Sequence, residues 1–275
     1  MARVGITLSK SDPAGETMLG ILREIGFEDT NTPDILCKGD IFLLVTNPLV
    51  VPAEEYRTPA QPNPYPIDYD GIAQKINLDY IIVASRHWAR SGQPSLTVHA
   101  TGNFGKAVYG GRTRELQRVP PNPMRNVYKE LLVDPPRGFQ VSLEATHHSP
   151  TQFDTPMFFA EVGSSERQWV DKDVCRYLIE AILRGTASQS EAPIGIGFGG
   201  GHYCPKFSIM EKEIAFGHIA AKYALIELTE DTIGQMISKT SGNISRAYIE
   251  DSVKGFERKK VEVALDKLNL ESQVI

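Results

Sequence analysis

The 275-residue chain is poor in cysteine, in long apolar runs and in net positive charge. Its three cysteines, Cys37, Cys175 and Cys204, stand far apart without a C-x-x-C pair, which excludes a secreted disulfide framework and suits a reducing compartment. No apolar run approaches the roughly 20 residues of a membrane span, and the N-terminus enters a strand pattern without the apolar core of a signal peptide. A cytoplasmic location with no membrane partner is the expectation. The net charge of -5 excludes a coat of positive potential, although a local basic patch would still serve phosphates. No DNA partner is expected. Neither H-E-x-x-H nor H-x-x-E-H occurs, so metal ligands would have to come from separate loops. Internal repeats, low-complexity tracts and a dividing linker are also missing, and the length suits a single α/β domain.

What is present alternates. Apolar strand patterns occur at 4–8, 41–46, 80–84, 96–98, 157–162 and 193–198, and 139–145 alternates with period two. Between them Ser11-Asp12-Pro13 caps a helix with Met18, Leu19, Leu22 and Ile25 at helical spacing. Asn122-Pro123 caps a second, whose stripe runs from Met124 to Leu132 and leaves Arg125 and Lys129 towards solvent. Ser165 and Gln168 form a capping box for one long helix ending at Gly185. Beyond Ala215-Phe216-Gly217-His218 the pattern predicts a helix through Tyr223, a short strand over 224–228, and helices near 231–238 and 257–268. The stretch 47–70, with six prolines, reads as a surface excursion and candidate lid. The order predicts a three-layer α/β/α sandwich around a mixed or largely parallel sheet.

All six histidines, at 87, 99, 147, 148, 202 and 218, fall at strand ends or in glycine-containing turns. Glu144-Ala-Thr-His-His-Ser-Pro-Thr151 is the densest such stretch. Within a regular strand His147 and His148 would face opposite ways; past its end both can face one pocket. A polar turn with one histidine bound to backbone remains the plainer reading. Histidines and carboxylates together are the usual ligands of a catalytic zinc. Gly195-Ile-Gly-Phe-Gly-Gly200 satisfies G-x-G-x-x-G, but the motif lies late and Pro205 interrupts the helix that should follow. Its glycines suit close approach of backbone N–H groups to an anion. Cys204, beside His202, reads as a small packed residue. Lys106, Arg112, Arg114, Arg118, Arg125 and Lys129, with Tyr109 and Tyr128 interleaved, form the densest basic region.

Several motifs follow in one order: Ala84-Ser-Arg-His87, His99-Ala-Thr-Gly-Asn103, Gly105-Lys-Ala107 with Tyr109-Gly-Gly111, Glu144 to His148 with Pro150-Thr151, Glu161 to Glu166 with Trp169, Gly199-Gly-Gly-His-Tyr203 with Pro205-Lys206, and Phe216-Gly-His-Ile219 with Lys222-Tyr-Ala224. Together they resemble the archaeal and plant type of D-aminoacyl-tRNA deacylase. The resemblance implies a phosphorylase/hydrolase-like α/β fold and hydrolysis of the ester of D-aminoacyl-tRNA to free D-amino acid and tRNA, with zinc as cofactor. On that footing His99, His148, Glu161 and His202 are expected to hold metal. Glu144 and His147 are expected to act in catalysis, Glu144 as general base, with Gly200 and Gly201 stabilising the oxyanion. Arg86, Lys106 and Lys206 are expected to meet tRNA. A monomer is the expected state. Another metal hydrolase, peptidase-like or amidase-like, and a tRNA-binding module without chemistry are the competing readings.

Overall fold

The computed structural model describes residues 2–46 and 67–275. Most of the proline-rich excursion and its lid role therefore lie outside the described residues. The order is β1 Val4–Ser9, α1 Pro13–Glu24, β2 Glu28–Asp29, β3 Ile35–Lys38, β4 Ile41–Thr46, α2 Tyr69–Ile76, β5 Tyr80–Arg86, β6 Ser95–His99 and α3 Pro121–Leu131. It continues with β7 Gln140–Leu143, β8 Met157–Gly163, α4 Glu166–Trp169, α5 Lys172–Ala187, β9 Ile194–Phe198, α6 Pro205–Met210 and β10 Ala215–Ala220. The last elements are α7 Glu230–Ser238, β11 Ile244–Ile249, α8 Gly255–Lys267 and β12 Ser272–Val274.

The expected α/β architecture with a mixed, mostly parallel sheet is present. Eight strands run β2-β3-β4-β1-β5-β8-β6-β7. The neighbours β4-β1-β5-β8 are parallel, while β6 runs antiparallel to β8. A second, all-parallel sheet, β10-β9-β11-β12, was not foreseen. The apolar runs are central strands: β1 and β8 are buried throughout, and β5 up to Ser85. Burying each large aliphatic there contributes about 1.5–3 kcal/mol.

Asp12 caps α1 by accepting from Ala14 N–H, with Pro13 in the first turn. The helix lies so close to β1 that a Cβ on Gly15 would stand 2.3 Å from the Ser9 carbonyl oxygen. Gly15→Ala is therefore expected to destabilise the fold by about 1–3 kcal/mol, seen as a fall of several degrees in thermal midpoint. An unchanged midpoint would show that α1 can lift off its strand.

Several local expectations are corrected. The helix after Ser165 keeps its capping box but breaks at Val170, because the Asp171 side chain accepts from Asp173 and Val174 N–H groups and starts a second helix. Arg125 does not face solvent. It is buried, donating to the Lys212 carbonyl and, at 3.3 Å, to Ser190 Oγ, and Tyr128 is buried beside it, so the basic region is not one face. Residues 222–227 form a 3₁₀ helix where the end of a helix and a strand over 224–228 were expected, and Ile219 and Ala220, expected in that helix, close β10. Tyr69 and Asp70, assigned to the excursion, open α2 behind an Asp68 cap. Pro205 does not interrupt the helix after the glycines but begins it, since a proline in the first turn gives up no helical hydrogen bond.

Candidate active site

The segment 144–148 is the seam between the two sheets. Glu144 N–H donates to Val98 O on the large-sheet side, Ala145 N–H to His202 O, and Thr146 N–H to Ile219 O of β10. His147 and His148 carbonyls both accept from Gly102 N–H. Having left the strand, His148 takes φ 44°, a left-handed conformation that costs a non-glycine residue about 1 kcal/mol or more. That turn sends both rings the same way, with centroids 4.4 Å apart.

Five of the six histidines converge here. In His99, His147 and His148 the Nδ1 atom lies 3.1, 2.7 and 2.6 Å from a backbone carbonyl, of Ala100, Ala145 and Ser149 respectively. Each Nδ1 is placed to donate to its carbonyl, which in the neutral ring leaves the lone pair on Nε2, the arrangement of imidazoles prepared to ligate. One ligand atom from each of the three lies within 4.8 Å of the others. The same spacing groups Glu144 with His147 and His202, and His87 with Glu144 and Glu161.

Two buried carboxylates organise the rest. Glu144 Oε2 stands 2.9 Å from His202 Nε2 and 3.5 Å from His147 Nε2, and its Oε1 stands 3.1 Å from His87 Nδ1. Ser85 Oγ donates to Glu161 Oε1 at 2.6 Å, while Glu161 Oε2 faces His99 Nε2 at 3.5 Å and His87 Nδ1 at 3.6 Å. Strand register explains this pairing, since Ser85 on β5 and Thr97 on β6 both lie opposite Glu161 on β8. Two tyrosines close the ring: Tyr203 Oη is 3.0 Å from His87 Nε2, and Tyr223 Oη is 3.3 Å from His202 Nδ1.

Burial opposes ionisation of both carboxylates, but the imidazoles outweigh it. Glu144 is held down to about 2, chiefly by His202, and Glu161 is lowered by His87 and His99. Burial pushes His147 well below its ordinary value and His148 down to about 4, with charge on His99 acting the same way. For His87 and His99 burial also opposes protonation, yet the carboxylates win and raise both. The result is a pair of ionised carboxylates beside His147 and His148, which stay neutral at physiological pH.

His87, His147, His148, Glu161 and His202 open into a cavity of about 600 Å³ that also touches Ser9, Ser11, Asp12, Arg86, Trp88 and Tyr109, while Glu144 and His99 are buried beside them. Glu144, His147, His99, His148, Glu161 and His202 thus come together. Arg86 lines the same cavity. Gly200 and Gly201 border a neighbouring depression with Lys222 and Tyr223. Lys106 is exposed, and Lys206 is engaged by Asp251 at 2.8 Å and the Ile275 carbonyl at 3.1 Å. His87, Ser85, Tyr203 and Tyr223 stand in the motifs read from the sequence but were given no role there; the position of His87 at the end of an apolar strand was the available signal. Cys204 is buried, and burial raises its thiol, which suits packing and not nucleophilic attack.

The sixth histidine, His218, is buried on β10 with Nδ1 3.2 Å from Thr146 Oγ1, and burial holds it down to about 3. An unfolded histidine takes its proton near pH 6.5, so as pH falls below that value the unfolded state binds a proton the folded state refuses. Stability from this residue is present above pH 6.5 and lost towards pH 3, with a slope up to about 1.4 kcal/mol per pH unit. His218→Gln is expected to flatten the acid limb of denaturant-measured stability by that amount. A slope equal to wild type would remove His218 from the account.

An α/β fold that gathers imidazoles and ionised carboxylates at an open cavity has the groups of a hydrolase. The D-aminoacyl-tRNA deacylase family model matches residues 74–273. The chain is 34% identical to the D-aminoacyl-tRNA deacylase of Thermococcus kodakarensis over 216 residues, 74% of this chain and 79% of that one. It is 31% identical to that of Thermococcus onnurineus over 282 residues, 97% of each. The crystal structure of a conserved protein of unknown function shares the fold, with a TM-score of 0.84 over 99% of this chain and 95% of that one at 24% identity. The chain belongs to the D-aminoacyl-tRNA deacylase family, and it is an enzyme that hydrolyses D-aminoacyl-tRNA. No helix among the described residues is long and apolar enough to cross a membrane.

Proposed function

We propose that deacylation here is zinc-dependent, with the ion held by residues drawn from His99, His147, His148, Glu144, Glu161 and His202. The observation that carries this reading is the convergence of histidine and carboxylate ligand atoms, three to a group, within 4.8 Å of one another. His99 Nε2 and both Glu144 oxygens lack a properly formed hydrogen bond, although burying such atoms unpaired is costly. Three imidazoles fixed in one tautomer beside two carboxylates also match the donor set zinc prefers. When bound, zinc supplies Lewis acidity towards the ester carbonyl and brings the pKa of water to about 7.

The chain's own residues do the rest. Glu144, ionised throughout the physiological range, accepts the proton of the attacking water. His202, at the solvent side with a ring nitrogen on Glu144, passes that proton to the departing ribose oxygen. Glu161, anchored by Ser85, orients His99 and His87. The N–H groups of Gly200 and Gly201 have no acceptor among the described residues and directly precede His202; they stabilise the oxyanion of an ester lying along that edge of the cavity. Arg86 and Lys106 meet tRNA phosphates, whereas Lys206 would first have to leave Asp251. One copy of the chain supplies every group, so a monomer suffices. We read the described residues as one domain because Phe216, Ile219 and Tyr248 of the small sheet pack in the main core.

The direct test compares release of tyrosine from D-tyrosyl-tRNA and L-tyrosyl-tRNA. Rapid release from the D form alone is expected. Equal rates would show that this site does not read the α-carbon, and faster hydrolysis of small esters than of aminoacyl-tRNA would favour the peptidase-like reading.

A further inference from the structure

The rim of the cavity carries two large aromatic rings that packing does not account for. Trp88 is 67% exposed and Tyr109 is 70% exposed, yet both line the cavity that holds His147, His148 and His202. Their backbones are fixed while their rings are not. Around Trp88, His87 N–H donates to Val162 O, Ala89 N–H to Ser164 O, and the indole N–H of Trp169 to His87 O. Tyr109 O accepts from Ser149 N–H, and the following turn passes through Gly110 and Gly111 at φ 78° and 80°. There Asn103 Nδ2 donates to Gly110 O, and a Cβ on Gly111 would lie 2.7 Å from Thr151 Cγ2. A side chain at Gly111 would therefore displace the turn that presents Tyr109.

Charge makes the rim matter. The cavity's inner wall carries Glu161 and Asp12, which repel a polyanion. Within this cavity, affinity for a nucleic-acid substrate must then come from Arg86 and from contacts that ignore phosphate. Aromatic rings provide such contacts, because every base has a π-face. The geometry of the substrate points the same way: the scissile ester joins the amino acid to the ribose of the last, unpaired nucleotide, so that base lies one sugar away from the reacting carbonyl. With the ester at the histidines, the base falls at the cavity mouth. A volume of about 600 Å³ is in the usual range for a bound small molecule.

We propose that Trp88 and Tyr109 form a stacking platform for the unpaired 3′ end of tRNA, holding the terminal base while the ester reaches the histidine and carboxylate centre. The proposal rests on that centre being the site of deacylation. On this proposal recognition tolerates different amino acids, since the grip is on the nucleotide.

The chain offers its own probe. It has two tryptophans, and Trp169 is 9% exposed with its indole N–H already bonded. Titrating the full chain with uncharged tRNA is expected to quench the emission of Trp88, whereas the same tRNA with its unpaired 3′ nucleotides removed leaves emission unchanged. Trp88→Ala and Tyr109→Ala are each expected to raise KM for D-aminoacyl-tRNA about tenfold, with kcat within about twofold. Trp88→Tyr should recover most of the KM. Equal quenching by intact and trimmed tRNA, or none by either, overturns the platform. So does a KM change confined to substrates with large amino-acid side chains, which would make the rings a side-chain pocket. If wild type fails to deacylate D-aminoacyl-tRNA, the catalytic reading falls, while the fluorescence titration still decides the platform.

Discussion

Thorough removal of divalent metal is expected to lower release of D-tyrosine from D-tyrosyl-tRNA about 10³-fold or more, and zinc is expected to restore it. The size follows from what would remain. Without Lewis acidity the carbonyl is polarised only by Gly200 and Gly201 amides, and water must be activated by a carboxylate whose pKa of about 2 makes it a weak base. Metal content measured on the same chelated sample must accompany the assay, because buried sites release ions slowly. Full activity in a sample free of metal would overturn the zinc reading while leaving the deacylase assignment in place.

Glu144→Gln is expected to lower kcat about 10²–10⁴-fold with little change in KM. The substitution keeps the volume of a fully buried side chain and its place between His87, His147 and His202. What it removes is the ability to accept a proton. A fall of less than about fivefold would move the base elsewhere, with Glu161 the next candidate. A parallel measurement of bound zinc separates the two roles open to Glu144: loss of activity with metal retained marks the base, and loss of both marks a ligand.

The sequence revealed the strands that bring residues to the centre because they are covered on both faces. The apolar runs around Ile82 and Phe159 leave no other reading. Glu144, Glu161 and four of the five converging histidines could be picked out because polar groups at the ends of such strands have little structural purpose. His87 was passed over although it follows an equally apolar run. Its role depends on Glu144 and Glu161, 57 and 74 residues later, a juxtaposition that only strand order creates. Strand β10 was not recognised because Gly217 and His218 interrupt its apolar pattern; Gly217 is there because a Cβ would lie 2.3 Å from Thr240 Oγ1. Arg125 looked solvent-facing on its helix because its partner, the Lys212 carbonyl, is distant in sequence and belongs to a backbone turn. In each case the deciding contact was non-local.

The seam at 144–148 also has a temporal consequence. Its Ala145 and Thr146 N–H groups are bonded to His202 and Ile219 carbonyls, so the loop bearing Glu144, His147 and His148 takes its shape only when chain some 60–70 residues further on has been added. During synthesis the early strands can pair before these groups are arrayed, and a nascent chain would carry Glu144, His147 and His148 yet have no working centre. The amide protons of Ala145 and Thr146 should therefore exchange with solvent deuterium as slowly as those of the innermost strands, making their protection a clock for the moment the enzyme becomes competent.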